Sequence, residues 1–219
     1  MNELRFAADR RKPLTVLCLG AHSDDIEIGC AGTIMRLLAE RPRTSVYWVV
    51  FTGQGVRARE ARQSARRVLR DAHASEVRIG PFRDGFLPYA GAEVKEMFEE
   101  LKHAVQPDLI FTHYGHDRHQ DHRLVSELTW NTFRSHLILE YEIPKYDGDL
   151  GQPNVFVSLP APVWRRKVRI LMSAFPSQRD RRRLSAATIE GLMRLRGIES
   201  AATDGYAEGF HARKISLAP

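Results

Sequence analysis

The run Leu14-Thr15-Val16-Leu17-Cys18-Leu19-Gly20, followed at once by Ala21-His22-Ser23-Asp24-Asp25-Ile26-Glu27-Ile28-Gly29-Cys30-Ala31-Gly32, decides the fold. A continuous apolar run without alternation suits a strand buried on both faces, and the glycine ends it. Runs of the same kind recur at residues 45–52, 76–80 and 108–113, and less sharply at 137–143 and 154–159. Between them, helical spacing of apolar residues covers 28–40, 56–72, 92–105 and 120–133, with Pro107 closing the third helix. Strands alternating with helices imply βαβ units and a parallel sheet covered on both faces. The expected fold is therefore α/β, a Rossmann-like three-layer sandwich with a mostly parallel sheet. The last third departs from this rhythm. Helices near 162–174 and 184–196 and a glycine-containing tail after Asp204 read as a helical C-terminal extension packed on the sheet.

A chain of 219 residues fits one elaborated domain over residues 1–219 better than two. With 43% hydrophobic and 27% charged residues, the composition argues against disordered, collagenous and membrane classes. The longest apolar stretch, Val46-Tyr47-Trp48-Val49-Val50-Phe51, is far too short to span a bilayer, so no transmembrane segment is expected. The first thirteen residues contain no apolar segment before a cleavage site, and a cytoplasmic location is expected. Cys18 and Cys30 both lie in apolar segments and read as buried free thiols. The net charge of +6 is uneven: residues 165–183 hold eight basic residues and one acid, Asp180, leaving the remainder near −1. No basic arm, zinc finger or aromatic-glycine signature accompanies that run, and no nucleic-acid partner is expected. Arg165, Arg166, Lys167, Arg169, Arg179 and Arg181 to Arg183 read equally well as a solvated face or as a surface for a phosphate or a partner.

In open α/β sheets ligands bind beyond the carboxyl ends of the strands, and two segments there are unusual. After the first strand, two adjacent aspartates occupy the turn where a dinucleotide site would need glycines and would repel a pyrophosphate. No Gly-Lys-Ser/Thr is present, which excludes a P-loop. A helix cap would explain one of Asp24 and Asp25, but neither His22 nor the other aspartate. After the strand at 108–112, the segment His113-Tyr114-Gly115-His116-Asp117-Arg118-His119-Gln120-Asp121-His122 holds four of the nine histidines. His119 and His122, three apart at a helix start, share a face, and Asp121 can orient a neighbouring imidazole as an outer acceptor. Two histidines, one carboxylate and an open position form the ligand set of a catalytic zinc site.

Together the two halves resemble a known family. Ala21-His22-Ser23-Asp24-Asp25 with Glu27-Ile28-Gly29-Cys30-Ala31-Gly32 resembles the His-Pro-Asp-Asp signature of the PIG-L/LmbE-type zinc de-N-acetylases, with Ser23 in place of the proline. His119-Gln120-Asp121-His122 is similar to that family's His-x-Asp-His motif, and Thr52-Gly53, Arg59-Glu60-Ala61 and Arg83-Asp84-Gly85 extend the likeness over residues 14–125. The resemblance implies a Rossmann-like fold and a zinc-dependent N-deacetylase acting on amino sugars joined to inositol, malate, lipid or antibiotic scaffolds. It implies His22, Asp25 and His122 as ligands of a Zn2+ ion. Asp24 would be the general base toward a water whose pKa the ion lowers to about 7. His119 would donate to the oxyanion or, when charged, protonate the leaving amine. Arg59 and Asp84 would hold the substrate, and Asp121 would support a ligand from outside.

The implied partner is a small N-acetylated amino sugar conjugate such as one of N-acetylglucosamine, with a phosphate or nucleotide linkage suggested by the basic run. Self-association into a homo-oligomer is left open. His113 and His116 read as hydrogen-bonded scaffold or pocket wall, and Asp117 as a partner for one of them or a solvated loop residue. His73, His103 and His136 read as surface or satisfied core residues, while nothing in the spacing brings His211 to the pocket. Trp48, Phe51, Trp130, Phe133 and Trp164 read as core. Two other functions fit the same residues: an amidase of thiol conjugates, and a basic binding module with a structural metal. The second has no use for the extra carboxylate of Asp24.

Overall fold

The computed structural model describes residues 12–178 and 185–216. The first apolar run is strand β1 (Leu14–Gly20), which leads through a four-residue turn into helix α1 (Asp25–Glu40). Then follow β2 (Thr44–Thr52), α2 (Gly55–Val68), β3 (Ala74–Phe82), α3 (Gly91–Ala104), β4 (Leu109–His113), α4 (Gln120–Thr132) and β5 (Leu137–Tyr141). The last third supplies β6 (Val155–Ser158), α5 (Ala161–Ala174), α6 (Ala186–Glu199) and β7 (Ala207–His211).

One seven-stranded sheet has the order β3-β2-β1-β4-β5-β7-β6. The first five strands are parallel, and β7 runs antiparallel to both β5 and β6. The reason lies in the pleat. Successive side chains of β1 point to opposite faces, so Val16 and Cys18 join a core with α1, α2, α5 and α6, whereas Leu17 and Leu19 join a second core with α3 and α4. A strand with both faces covered needs apolar residues at every position, which is why β1 reads as an unbroken run. Trp48 lies in the first core and Phe51 and Phe133 in the second, each at most 1% exposed.

The two helices expected in the C-terminal extension are α5 and α6, and the tail after Asp204 refines its placement on the sheet. Instead of lying on the sheet it enters it, as β7 between β5 and β6. Ala207-Glu208-Gly209-Phe210-His211 has little strand propensity, and tertiary contacts override that. Glu208 is buried and accepts hydrogen bonds from the backbone N–H groups of Gly32 (2.9 Å) and Thr33 (2.7 Å) and from Lys167 Nζ (2.6 Å), tying β7 to α1 and α5. Helix α1 can approach so closely because of its glycines: a Cβ on Gly29 would stand 2.2 Å from the ring of Tyr141.

Two described members of the basic run are held by acids of the chain itself. Lys167 is buried in its pair with Glu208, and Arg166 turns to Asp71 and the Arg67 carbonyl just before β3 begins. Trp164 stacks on Tyr206 with ring centroids 4.2 Å apart. Arg179 and Arg181 to Arg183 lie outside the described residues. Among the described residues, no helix is long and apolar enough to cross a membrane.

Candidate metal centre and active site

The strand order reverses between β1 and β4: β2 and β3 continue to one side, β5 to the other. That reversal opens a crevice at the carboxyl ends of these two strands. The two unusual segments leave the sheet there, one after Gly20 and one after His113. Asp24 occupies the N-cap position of α1 without a side-chain capping bond, while Asp25 reaches back to accept the backbone N–H of His22 at 2.6 Å. In the second segment His119 is the N-cap of α4, and its Nδ1 accepts the backbone N–H of Asp121. A neutral His119 therefore carries its proton on Nε2.

Three lone-pair atoms converge. His22 Nδ1 is 3.1 Å from His122 Nε2 and 3.2 Å from Asp25 Oδ2, and His122 Nε2 is 3.5 Å from the same oxygen. Bonds of about 2.0–2.2 Å to a tetrahedral ion would separate its ligands by roughly 3.3–3.5 Å, so this triangle has the dimensions of one face of such a site. His119 closes a further triad with His22 and His122, and His113 one with Asp25 and His122. His113 is fully buried; its Nε2 accepts the backbone N–H of Ala21 at 2.9 Å and its ring stacks on that of His122.

His22 and His122 each have a carboxylate on the outer nitrogen, which fixes the ring's orientation. His22 Nε2 meets Asp121 Oδ2 at 3.1 Å and Asp84 Oδ1 at 3.2 Å. Asp121 is itself clasped by the backbone N–H groups of Gly85 (2.7 Å) and Leu87 (3.1 Å). His122 Nδ1 meets Asp117 Oδ2 at 2.9 Å, and Lys145 donates to that same oxygen at 2.8 Å. Lys145 belongs to the connection between β5 and β6, which Asp149 also ties to the backbone N–H of Arg118.

The electrostatics follow from this packing. Burial opposes charge on His22, but Asp25, Asp121 and Asp84 outweigh it and lift its pKa well above the ordinary value. Burial would also raise Asp25, yet His122, His22 and His113 hold it well below the usual carboxylate range. A nest of carboxylates thus demands positive charge at its centre. His122 is pushed down to about 3 by burial and by His113, and His119 is lowered by burial and by His22. Burial raises Glu27, fully enclosed behind the turn, to about 8, leaving it a neutral acid at pH 7.

A cavity of about 250 Å3 opens beside the nest, between the connections after β2 and β3, lined by Ser23, Thr52, Gly53, Arg57, Arg83 and Asp84 among others. Arg59, the expected substrate-holding residue, is exposed on α2 and does not line this cavity. Arg57 does, and its Nη2 donates to Asp24 Oδ1 at 3.1 Å. Two residues along a helix is a rotation of about 200°, so only one of these arginines can face the crevice. Lys145 carried no sequence signal, standing far from either motif. His116 is exposed, His211 is buried against Tyr114, and His73 and His103 are exposed.

A water-using enzyme site of the α/β type is what this fold and nest define: imidazoles, carboxylates and an open cavity at a switch point. The family model described as GlcNAc-PI de-N-acetylase (PIG-L) matches residues 17–133, just over half of the chain, and the protein belongs to that family. It is 26% identical over 155 residues to the Uncharacterized deacetylase YaiS of Escherichia coli strain K12, covering 64% of this chain and 79% of that protein. Among solved structures, it is similar to the N,N'-diacetylchitobiose deacetylase of Pyrococcus horikoshii, with a TM-score of 0.67, 20% identity, and coverage of 90% of this chain and 83% of that one. It also resembles GalB, the 4-carboxy-2-hydroxymuconate hydratase of Pseudomonas putida, with a TM-score of 0.76, 18% identity, and coverage of 94% and 98%.

Proposed function

We propose that this protein is a zinc-dependent deacetylase that hydrolyses the amide of an N-acetylated amino sugar conjugate, through one catalytic domain spanning residues 1–219. The observation that carries this reading is the triangle of His22 Nδ1, Asp25 Oδ2 and His122 Nε2, with sides of 3.1–3.5 Å. Beside it stands a second buried carboxylate, Asp24. These three residues would hold the ion, and two imidazoles with one carboxylate suit zinc. When bound, such an ion supplies Lewis acidity toward a carbonyl and lowers the pKa of water toward 7.

The chain's own groups account for the proton transfers. Asp24 takes the proton of the attacking water, with Arg57 orienting its carboxylate. His119, neutral because burial and His22 lower its pKa, donates its Nε2 proton as a hydrogen bond to the developing oxyanion. That role needs no charge on the ring. When the C–N bond breaks, the proton gained by Asp24 passes to the leaving amine, so the carboxylate is regenerated. Asp84 and Arg57 hold the sugar conjugate, and Asp121 and Asp117 keep the two imidazoles turned inward.

Replacing Asp24 with Asn tests the assignment. Metal content should stay at the wild-type level while acetate release from N-acetylglucosamine conjugates falls about 10²–10⁴-fold. Unchanged turnover would remove Asp24 from the mechanism. Addition of water to an unsaturated acid, with no acetate released from any conjugate, would replace the reading with a hydratase like GalB.

A further inference from the structure

We propose that Lys145 is a positioning residue that couples the connection between β5 and β6 to the candidate metal centre. The docked connection strengthens the hold of His122 on the ion, and the bound ion in turn keeps the connection docked. This rests on the metal site of the reading above and not on its substrate.

Strands β4 and β5 are parallel, so the connection at 142–154 leaves the sheet at the same carboxyl edge as the histidine-rich segment. Ile143 anchors its start in the core. Further on, Gly151 lies against the rings of Tyr114 and His211, and its carbonyl accepts from Arg196 Nη2 at 3.2 Å. The stretch between these two points is different. Tyr146 on it is 80% exposed, and among the described residues every hydrogen bond that 144–150 make with the rest of the chain goes to Asp117 or Arg118. The connection is therefore pinned to the segment that carries His122 and to nothing else along this stretch.

The pin is ionic and buried. Lys145 Nζ stands between Asp117 Oδ2 at 2.8 Å and Asp149 Oδ1 at 2.7 Å, and the side chains of Lys145, Asp117 and Asp149 are 4%, 3% and 6% exposed. The oxygen of Asp117 that receives the ammonium is the one that meets His122 Nδ1 at 2.9 Å. An ammonium and an imidazole nitrogen on one carboxylate oxygen fix where that oxygen stands. It in turn fixes the ring whose Nε2 faces His22 and Asp25. Without the ammonium, Asp117 and Asp149 would be two buried like charges with no cation between them, which favours lifting the connection into water.

Coupling of this kind is reciprocal: the factor by which docking raises zinc affinity is the factor by which bound zinc favours docking. Arg118 reports docking directly. Its backbone N–H donates to Asp149 Oδ2 at 2.6 Å and the residue is exposed, so the amide exchanges with solvent once the connection lifts. Gly85 supplies the reference, because its N–H donates to Asp121 behind His22, away from the connection.

The test follows amide hydrogen exchange at Arg118 and Gly85 by NMR in stripped and zinc-loaded protein, alongside zinc affinity measured against a competing chelator. In the wild type, zinc should slow exchange at Arg118 about 10-fold, the low end of what an outer partner of a metal ligand contributes. Lys145→Met should weaken zinc binding by about the same factor, and zinc should then still protect Gly85 but no longer Arg118. Lys145→Arg, which keeps the cation, should restore zinc protection of Arg118. An Arg118 amide indifferent to zinc in the wild type overturns the proposal, and that measurement needs no variant, so it decides even if Lys145→Met fails to fold. Zinc affinity of Lys145→Met within twofold of wild type, or zinc protection of Arg118 retained in it, overturns the proposal as well. Acetate release enters none of these readouts. Protein that deacetylates no conjugate yet shows the paired effects loses the deacetylase reading and keeps the coupling, and protein that releases acetate without them loses only the coupling.

Discussion

Asp121→Asn perturbs the candidate centre without changing its volume, and its cost can be worked out bond by bond. Asp121 is fully buried; Oδ2 serves both Gly85 N–H and His22 Nε2, and Oδ1 serves Leu87 N–H. An amide keeps only one oxygen, so whichever way it turns its NH2 meets at least one of these donors head on. A buried donor left unsatisfied costs about 1–3 kcal/mol. For a protein of this size that corresponds to a fall in Tm of roughly 3–10 °C, measured by calorimetry with metal removed. The second consequence concerns His22, which loses the charge that fixes its ring. Zinc affinity measured by competition with a chromophoric chelator should drop about 10- to 100-fold. A variant with wild-type Tm and zinc affinity within twofold of wild type would refute the claim that Asp121 holds His22 for the ion.

Other expectations follow from the same contacts. Glu208→Ala leaves Lys167 and two backbone N–H groups of α1 buried without their acceptor, and should cost about 3–5 kcal/mol in urea unfolding; a loss below about 1 kcal/mol would show that β7 is not pinned by this pair. His211 has its pKa lowered to about 4 by burial and by Arg196, so the folded chain resists the proton that the unfolded chain accepts near 6.5. This histidine's contribution to stability is therefore full above about pH 6.5 and lost as pH falls toward 4, by at most about 3 kcal/mol. His211→Phe should flatten stability across that window, and an unchanged acid slope would contradict the assignment.

Much of the architecture could be read from the chain because β1, β2, β4 and β5 are largely buried on both faces and so appear as mostly apolar runs. Strand β7 could not, since Glu208 and Gly209 disfavour a strand locally and only Lys167 and the start of α1 explain their burial. The candidate centre was legible where function concentrates residue types: two aspartates in a turn that should hold glycines, and four histidines in ten residues. The cavity wall was less legible. Arg57 and Arg59 differ by a helical rotation that spacing alone does not orient, and Lys145 reaches Asp117 from a loop with no motif of its own. Within the basic run, composition could not set Lys167 apart, because it does not distinguish a buried lysine paired with Glu208 from a solvated one.

The central claim is that one divalent ion, held by His22, Asp25 and His122, drives the release of acetate from an amino sugar conjugate. The most direct measurement strips the protein with a chelator and follows acetate release while zinc is added back in known amounts. Activity should be absent at the start, rise linearly and break at one ion per chain, and His122→Ala should show no such break. Acetate release that persists in the stripped protein, or a wild-type titration curve shared by His122→Ala, would contradict the account.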